Sequence, residues 1–404
     1  MRSLGGLNMR YSVIVLPLLG LAGCGGGGPE TAGGLPVGGP GATHSFAAPA
    51  EKKTYSAIGA VQRYVYSTDS RDTRGQYDQT YAGNVATARN SNITISYDPR
   101  DAIFELTIDD PAAGASKAIR FQDPAHRTNF GGMVEPQEGT PQLEATFNGI
   151  HYLQVAHEQR GEFVFDPNRS KTFPVGNANA RRDVSTFFYQ KPGTTTKYVT
   201  FAGYVRNAAS IVAVNASDNS NYLRHNMELE RAAFVFGERT SNANVPKTGT
   251  ASYSGAMIAT MVFNPLIDQG QRDSYLQWIS GTSSTSVDFA AGTFETKLNG
   301  KVHAPLLDLD TSHQHTLREG ATFTATGSGH IDLPGKGGFV GTVSDARFRN
   351  GADTHDVAIA GSSIDGAFHG PAAQEVGGGF RIVGGTPDQR VDILGAFTGA
   401  DKNR

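Results

Sequence analysis

Hydrophobic and polar residues alternate in short runs along most of this 404-residue chain, and no stretch keeps the apolar spacing of a long helix. The runs 60–66, 92–97, 102–108, 143–147, 149–156, 186–190, 197–205 and 232–236 each predict a strand. Turn chemistry falls between them. Lys191-Pro192-Gly193 joins Phe187-Phe188-Tyr189 to Tyr198-Val199-Thr200-Phe201 as a hairpin, and Pro99-Arg100-Asp101 reverses the run ending at Tyr97 into the run starting at Ala102. Only 222–233 departs from the pattern and predicts one or two helical turns.

A boundary falls at Pro246-Lys247-Thr248-Gly249, and beyond it the alternation becomes more regular. Strands are predicted at 250–263, 285–289, 292–302, 321–331, 338–348, 357–368, 376–383 and 390–397. Several are long and set small or polar residues against apolar ones, as Thr322, Thr324 and Thr326 against Phe323 and Ala325. About eight glycine-rich antiparallel strands without helices are best accommodated by an up-and-down barrel, which leaves no exposed edge. A barrel of that size has an interior that side chains fill, so recognition is expected from its loops or outer wall.

The chain begins differently. Arg2 and Arg10 precede an apolar run over 11–21 that is too short to span a bilayer, and Leu21-Ala22-Gly23-Cys24 follows. Residues 1–23 read as a secretory signal, complete even from Met9, and the four residues ending at Cys24 resemble the lipobox of bacterial lipoproteins. That resemblance implies cleavage before Cys24, acylation of its thiol, and, with Gly25 rather than Asp next, sorting to the outer membrane. An ordinary secretory signal with an incidental cysteine is the alternative. Nine of the 50 glycines lie in 24–41, and residues 24–53 read as a Gly/Pro-rich tether.

Cys24 is the sole cysteine, which excludes disulfides, thiol nucleophiles and cysteine metal sites from the folded part. Without Arg2 and Arg10, 33 Lys+Arg stand against 38 Asp+Glu, interleaved along the chain, so no basic footprint for nucleic acid exists. The chain has no Gly-x-Ser-x-Gly elbow, no His-Glu-x-x-His and no phosphate-cradling loop, and an enzyme is not expected.

Several segments carry a resemblance. They are Gly249-Thr-Ala-Ser-Tyr253-Ser-Gly255, Val287-Asp288-Phe289-Ala-Ala-Gly292-Thr-Phe294, and above all Gly366-Ala-Phe368-His-Gly370-Pro371-Ala-Ala-Gln-Glu375-Val-Gly377-Gly378-Gly379-Phe380, closed by Leu394-Gly395-Ala396-Phe397. Together they resemble the β-barrel domain of the transferrin-binding protein B family. Gly370-Pro371 suits a turn, and Gly377 to Gly379 suit a bend or a close approach that a side chain would block. Upstream, Tyr198-Val-Thr-Phe-Ala-Gly203-Tyr204 and Phe234-Val-Phe-Gly237-Glu-Arg-Thr240 resemble the handle domain that precedes the barrel in this family. The resemblance implies an all-β protein, with a handle-like β domain over 54–245 and an approximately eight-stranded antiparallel barrel over 246–404. The length suits one handle-plus-barrel lobe rather than two. A single-lobed surface lipoprotein is therefore implied, one that binds an extracellular protein or small ligand in iron or haem acquisition. An integral outer-membrane transporter and a surface-lipoprotein export protein are its implied partners. A haem or metal carrier and a structural or adhesive surface protein are the competing classes.

Candidate ligand-binding residues are few. His313 and His315, after Asp308 and Asp310, would share one face of a strand and could clamp a metal or haem iron; a solvated loop between the third and fourth barrel strands gathers the same residues. His151 and His157 share strand parity and are expected to flank a half-buried strand beside Leu153 and Val155. Tyr64, Tyr66, Tyr198 and Tyr204 are expected in the core rather than as haem ligands. Trp278 falls in the long connection predicted between the first two barrel strands, where it is either an interface anchor or a plug over one barrel end. No cofactor beyond the lipid is assigned. Replacing Cys24 with Ser is expected to release the protein into the periplasm, read by fractionation; continued sedimentation with outer membranes would contradict the anchor.

Overall fold

The computed structural model describes residue 46 and the stretches 49–110, 115–122, 130–161, 163–166, 171–174, 179–215, 221–265, 274–305, 317–385, 389–401 and 403. The signal, Cys24, most of the tether, His313 and His315 lie outside the described residues.

Among the described residues twelve strands precede the boundary: β1 (Lys53–Ser56), β2 (Ile58–Asp69), β3 (Asp72–Ala86), β4 (Ile93–Asp98), β5 (Ile103–Asp110), β6 (Ala115–Phe121), β7 (Ile150–Arg160), β8 (Phe163–Asp166), β9 (Lys171–Pro174), β10 (Arg181–Gln190), β11 (Val199–Asn215) and β12 (Asn221–Gly237). They form a six-stranded sheet in the order β3-β2-β12-β11-β10-β7, a four-stranded sheet in the order β1-β4-β5-β6, and the β8–β9 pair. The turns read from the sequence are present. Gly193 takes φ +86 in the β10–β11 hairpin, and Pro99 to Asp101 join β4 to β5.

Nine strands follow among the described residues: β13 (Thr250–Asn264), β14 (Tyr275–Asp288), β15 (Thr293–Val302), β16 (Thr322–Asp332), β17 (Gly338–Asn350), β18 (Asp353–Asp356), β19 (Ile359–His369), β20 (Glu375–Gly384) and β21 (Arg390–Asp401). Eight of them close into an antiparallel barrel, through β13–β21 on one side and β16–β17 on the other; β18 adds to β17 outside the ring. Met257, Met261, Phe263, Phe294, Phe323, Phe339 and Phe397 belong to the buried core that fills the barrel. The outward positions of β15 are Thr293, Glu295, Lys297, Asn299 and Lys301, all exposed, which is a wall for water and not the apolar band of a membrane barrel. Among the described residues no helix is long and apolar enough to cross a membrane.

The six-stranded sheet is the middle layer. Through Phe187, Tyr189, Tyr204, Ala232 and Phe234 it packs on Ile95, Phe104, Leu106 and Phe121 of the small sheet. Through Tyr152, Phe188, Phe201, Val205 and Val235 it packs on Ile258, Trp278, Ala367 and Ala396 of the barrel wall. Strand alternation makes this possible, because successive side chains of one strand serve opposite layers. Gly370, at φ +85, turns β19 into β20, and Gly379 meets the sheet backbone: a Cβ there would lie 2.7 Å from the Cα of Gly59. Next to that contact, the Glu375 carboxylate accepts the backbone N–H groups of Lys197, Tyr198 and Val199 at 2.5, 2.7 and 3.0 Å. Burial pushes this carboxyl above its ordinary value, against the three bonds that favour its charged form. The connection out of β12 is held to the same barrel turn, with Thr240 donating its N–H to Phe368 O at 2.8 Å and Gly370 donating to Glu238 O at 2.9 Å.

Three expectations are corrected. Residues 222–233 are not helical but lie in β12, paired with β11 on one side and β2 on the other. Two ladders of hydrogen bonds override a local preference worth tenths of a kcal/mol per residue. Residues 143–147 form a turn in which Thr146 and Phe147 both donate to Leu143 O, and Leu143 and Phe147 are buried by it rather than by a ladder. The second barrel strand begins at Tyr275, ten residues before the predicted 285, so Trp278 stands in β14 and not in a connection. Along the open edge of the large sheet, the β2–β3 register shifts twice, between Val65 and Ser67 and between Ser67 and Asp69, and Asp78 takes φ +51.

Gly379→Ala is expected to cost about 1–3 kcal/mol, because both backbones at the contact are fixed by ladders and neither can retreat. Thermal unfolding checks it against Gly361→Ala, where a Cβ meets nothing within 4 Å. Equal melting of the two variants would show that the layers slide apart freely.

Candidate binding surface

With the barrel interior filled and one side of its wall covered, the part of the six-stranded sheet that outruns the small sheet carries a half-buried, densely charged face. Phe187, Tyr204, Ala232 and Val61 form a row in contact with the small-sheet core, and on β7 Val155, beside Ser185, extends that contact by one row. Beyond it Ser185, Arg206, Glu230 and Arg63 stand side by side, then Asp183, Ala208, Glu228 and Val65, then Ser210, Asn226 and Ser67, then Val212, Arg224 and Asp69. The face thus turns from aromatic to charged within one pleat, which is what ends the contact with the small sheet.

Arg206 is the hub of the platform. Its guanidinium meets Asp183 at 2.6 Å, Glu228 at 2.9 Å and Glu230 at 3.4 Å, while Arg63 adds a second bond to Glu228 at 2.5 Å. Arg206 is 13% and Asp183 15% exposed, so the pair is shielded from solvent enough to hold a fixed geometry. Lys117 of β6 reaches Glu230 at 3.9 Å, and burial holds its ammonium below the ordinary lysine value. Below this layer the Tyr204 hydroxyl donates to Glu230 at 3.4 Å, and burial pushes the phenol far up. Burial also acts to raise Glu228, but its bonds to Arg206 and Arg63 outweigh that and hold it below the ordinary glutamate range. The network leaves three cations against three anions, a stiff and nearly neutral surface.

On the opposite face of β12, one residue along, Arg231 is fully buried toward the barrel. It donates to Arg206 O at 3.1 Å, Glu230 O at 2.7 Å and Asn207 Oδ1 at 2.8 Å, and burial pulls its guanidinium down to about 9. Those bonds fix the β11–β12 backbone beneath the platform.

The platform ends at the tips of the β2–β3 and β11–β12 hairpins, in a cleft of about 530 Å³. Its walls include Asp69, Arg71, Tyr77, Asp78, Tyr222 and Arg224. Arg71 lies 3.4 Å from the centre of the Tyr222 ring, which ties the two tips by stacking, and it pairs with Asp69 of its own hairpin at 2.9 Å. Val212, with 43% of its surface exposed, is the apolar element of this region.

The residues singled out from the sequence do not gather here. Trp278 is 5% exposed, packs edge-on to Phe188 at 5.3 Å and donates Nε1–H to Gly139 O at 3.2 Å. It joins the barrel to the sheet, and its ring faces the sheet instead of solvent. His151 stacks on Tyr189 at 5.8 Å, and His157 bonds Ser185 Oγ at 2.9 Å; burial lowers both rings below the ordinary histidine value. Tyr64, Tyr66 and Tyr204 are core residues. Among the described residues no three His, Cys, Asp or Glu side chains group to hold a metal ion. Sequence reasoning missed Arg63, Asp183, Arg206, Glu228 and Glu230. The signal was present in the alternation of Glu228 and Glu230 with Met227, Leu229 and Arg231, once that segment is taken as a strand.

Comparison with known proteins yields one family. The model for the C-lobe and N-lobe β-barrels of transferrin-binding protein B matches residues 245–402. Among solved structures, intact Ap-TbpB with its N and C lobes is similar at 13% identity over 88% of this chain and 79% of that one, with a TM-score of 0.28. A mutant of the transferrin-binding protein B vaccine antigen from Haemophilus parasuis Hp5 is similar at 13% identity, over 85% and 77%, with a TM-score of 0.27. The isotype 1 protein from serogroup B Neisseria meningitidis is similar at 13% identity, over 88% and 77%, with a TM-score of 0.24. No curated protein matches.

Arg206→Ala leaves Asp183 and Glu230 without their main partner and is expected to cost about 1–3 kcal/mol at neutral pH. Glu228 has a folded value below its ordinary 4.5, so its share of the stability is complete above that pH and is lost as the pH falls through the folded value. The gap in melting temperature between wild type and Arg206→Ala should therefore narrow as the pH falls below the ordinary glutamate value. An unchanged gap there would mean that the loss is one of packing rather than charge.

Proposed function

With residues 245–402 belonging to the transferrin-binding protein B family of β-barrels, we propose that the chain is a surface lipoprotein that captures an extracellular protein on the projecting platform of its N-terminal sheet. Capture serves iron or haem acquisition together with an outer-membrane transporter, and Cys24 carries the lipid that holds the protein at the outer membrane. A surface-lipoprotein export protein would bring it to the cell exterior. It acts by binding, without a chemical step. The observation that supports this reading best is the combination of a family barrel whose interior is filled with a companion sheet that extends well past its own covering layer.

The platform has the properties that protein docking needs. It is stiff, because both of its charged rows are bonded within the sheet, so a partner would order few side chains on arrival. It mixes an exposed Val212 with arginines and tyrosines, the residue types that dominate binding hot spots. Its near-neutral balance suits a partner recognised by shape and hydrogen bonds more than by long-range attraction.

Intact cells grown under iron limitation and mixed with extracellular iron-carrying proteins provide the test. The joint change Val212→Glu with Arg224→Glu is expected to lower capture about tenfold or more, whereas Thr324→Glu on the barrel wall leaves it unchanged. Capture that survives the platform change but falls with Thr324→Glu would move the site to the barrel. No captured protein, no transporter partner and no response to iron would favour a structural surface role. A Soret shift on haem titration would favour the carrier reading.

A further inference from the structure

The six-stranded sheet meets the barrel in two different ways. Around Gly59 and Gly379 the contact is close and apolar. Elsewhere it turns polar, and there β3 faces β20 and β21 across a seam lined by Tyr81, Arg381, Arg390 and Asp392. Asp392 is 2% exposed, whereas Arg381 and Arg390 are 32% and 34% exposed, so the seam is closed at the carboxylate and open at the cations. Both guanidiniums converge on one oxygen of that carboxylate, Oδ2, at 3.4 and 3.9 Å, and Oδ1 is buried without a hydrogen-bond partner. Neither contact has the two-pronged geometry in which a carboxylate saturates an arginine fork.

The donors are therefore almost unspent. A guanidinium carries a fan of N–H groups and no acceptor of its own. Arg381 makes one long bond, from Nη2 to Asp392 at 3.4 Å, and Arg390 makes none among the described residues; Nε of each is buried and unpartnered. Packing holds them in place instead. Arg390 lies over the Tyr81 ring at 4.0 Å, and that ring is stacked on Tyr64 at 4.7 Å and held through its hydroxyl by Ser274 at 2.6 Å. Beside Arg381 stands Gly83 of β3, whose missing side chain leaves Nη2 uncovered; a Cβ there would come within 3.5 Å of it. The contrast with the platform is plain, because Arg206 is consumed by three carboxylates. Here two fixed cations face one poorly placed anion, and no other carboxylate among the described residues meets them. Partial burial makes that imbalance costly, and an entering anion relieves it.

We propose that Arg381 and Arg390 form a binding site for a small oxyanion, the carboxylate or phosphate group of a free solute, at the seam between sheet and barrel. The oxyanion accepts the unspent N–H groups of both arginines and competes with Asp392 for them. The site is separate from the platform, which lies on the other face of the sheet, and it does not depend on what the platform captures.

Citrate and inorganic phosphate are the probes, titrated into the full detergent-solubilised chain at constant low ionic strength and followed by calorimetry. One saturable site is expected, with a dissociation constant of about 0.1–1 mM for half-exposed, charge-assisted contacts. Arg381→Gln and Arg390→Gln should each weaken it about tenfold, and Arg390→Lys, which keeps the charge but not the stacked fork, should fall in between. Asp392→Asn removes the competing charge and should strengthen binding about threefold or more. Arg349→Gln alters an exposed cation of the barrel wall and should change nothing. Melting curves show whether each variant is folded, and either probe should raise the melting temperature of the wild type more than that of the two glutamine variants at the seam. No saturable binding of either probe to the wild type overturns the site. So does binding that both seam variants leave intact, or binding that Arg349→Gln weakens as much as they do, the mark of a general attraction to positive charge. Weaker binding in a folded Asp392→Asn variant overturns it too, because the carboxylate would then be holding the arginines rather than competing for them.

Discussion

The contact of the six-stranded sheet with the barrel wall is the constraint on which the rest depends. Two surfaces made of strands can approach closely only where side chains withdraw, and here the withdrawal is complete at Gly59 and Gly379. Around that point Ile258, Trp278 and Ala396 from the barrel mesh with Phe188, Phe201 and Val235 from the sheet. Glu375 then supplies the polar counterpart, tying three N–H groups at the start of β11 to the barrel turn. Once this face is committed, the alternation of each strand leaves the other face for the small sheet and, beyond it, for solvent. The platform is therefore a remainder: what a long sheet exposes after two layers have taken their share.

That remainder is kept ordered by charge rather than by burial. An aromatic face continuing past Tyr204 would present apolar surface to water and invite association with any similar surface. A row of unpaired charges would be mobile. The network centred on Arg206 avoids both, and Arg231 on the reverse of the same strand fastens the backbone beneath it. Neighbouring residues 230 and 231 thus belong to different environments, one facing solvent and one sealed against the barrel.

The barrel was legible in the sequence because its code is local. Alternation, glycine turns and the Phe-x-Gly-Pro run ending β19 each state their role within a few residues, as Gly370 and Gly379 illustrate. What could not be read locally was which neighbour overrides a segment's own preference. Residues 222–231 carry helix-forming Glu, Leu and Met, and only two flanking strands make them β12. Trp278 looked like a loop anchor because Ser and Gly residues obscure the start of β14; its burial comes from a partner, Phe188, that is 90 positions away in the chain. The charged platform depends on the same pairing, so mistaking one strand concealed the whole surface. Phe46 was visible as a lone aromatic in a glycine-rich stretch, yet nothing nearby says that Tyr55 and Phe236 leave a space for it.

The irregular edge of the large sheet has a consequence for life in a crowd. A straight outer strand shows a row of free amide and carbonyl groups, and molecules held side by side on one plane meet edge to edge far more often than molecules in bulk solution. The double register shift opposite Val65, Ser67 and Asp69, with Asp78 forced into a left-handed turn, bends β3 out of line. A second copy then finds no continuous rail along β3 on which to add its own strand, and the eight strands of the barrel ring are paired on both sides. Pairing of one copy with another through β3 is therefore disfavoured.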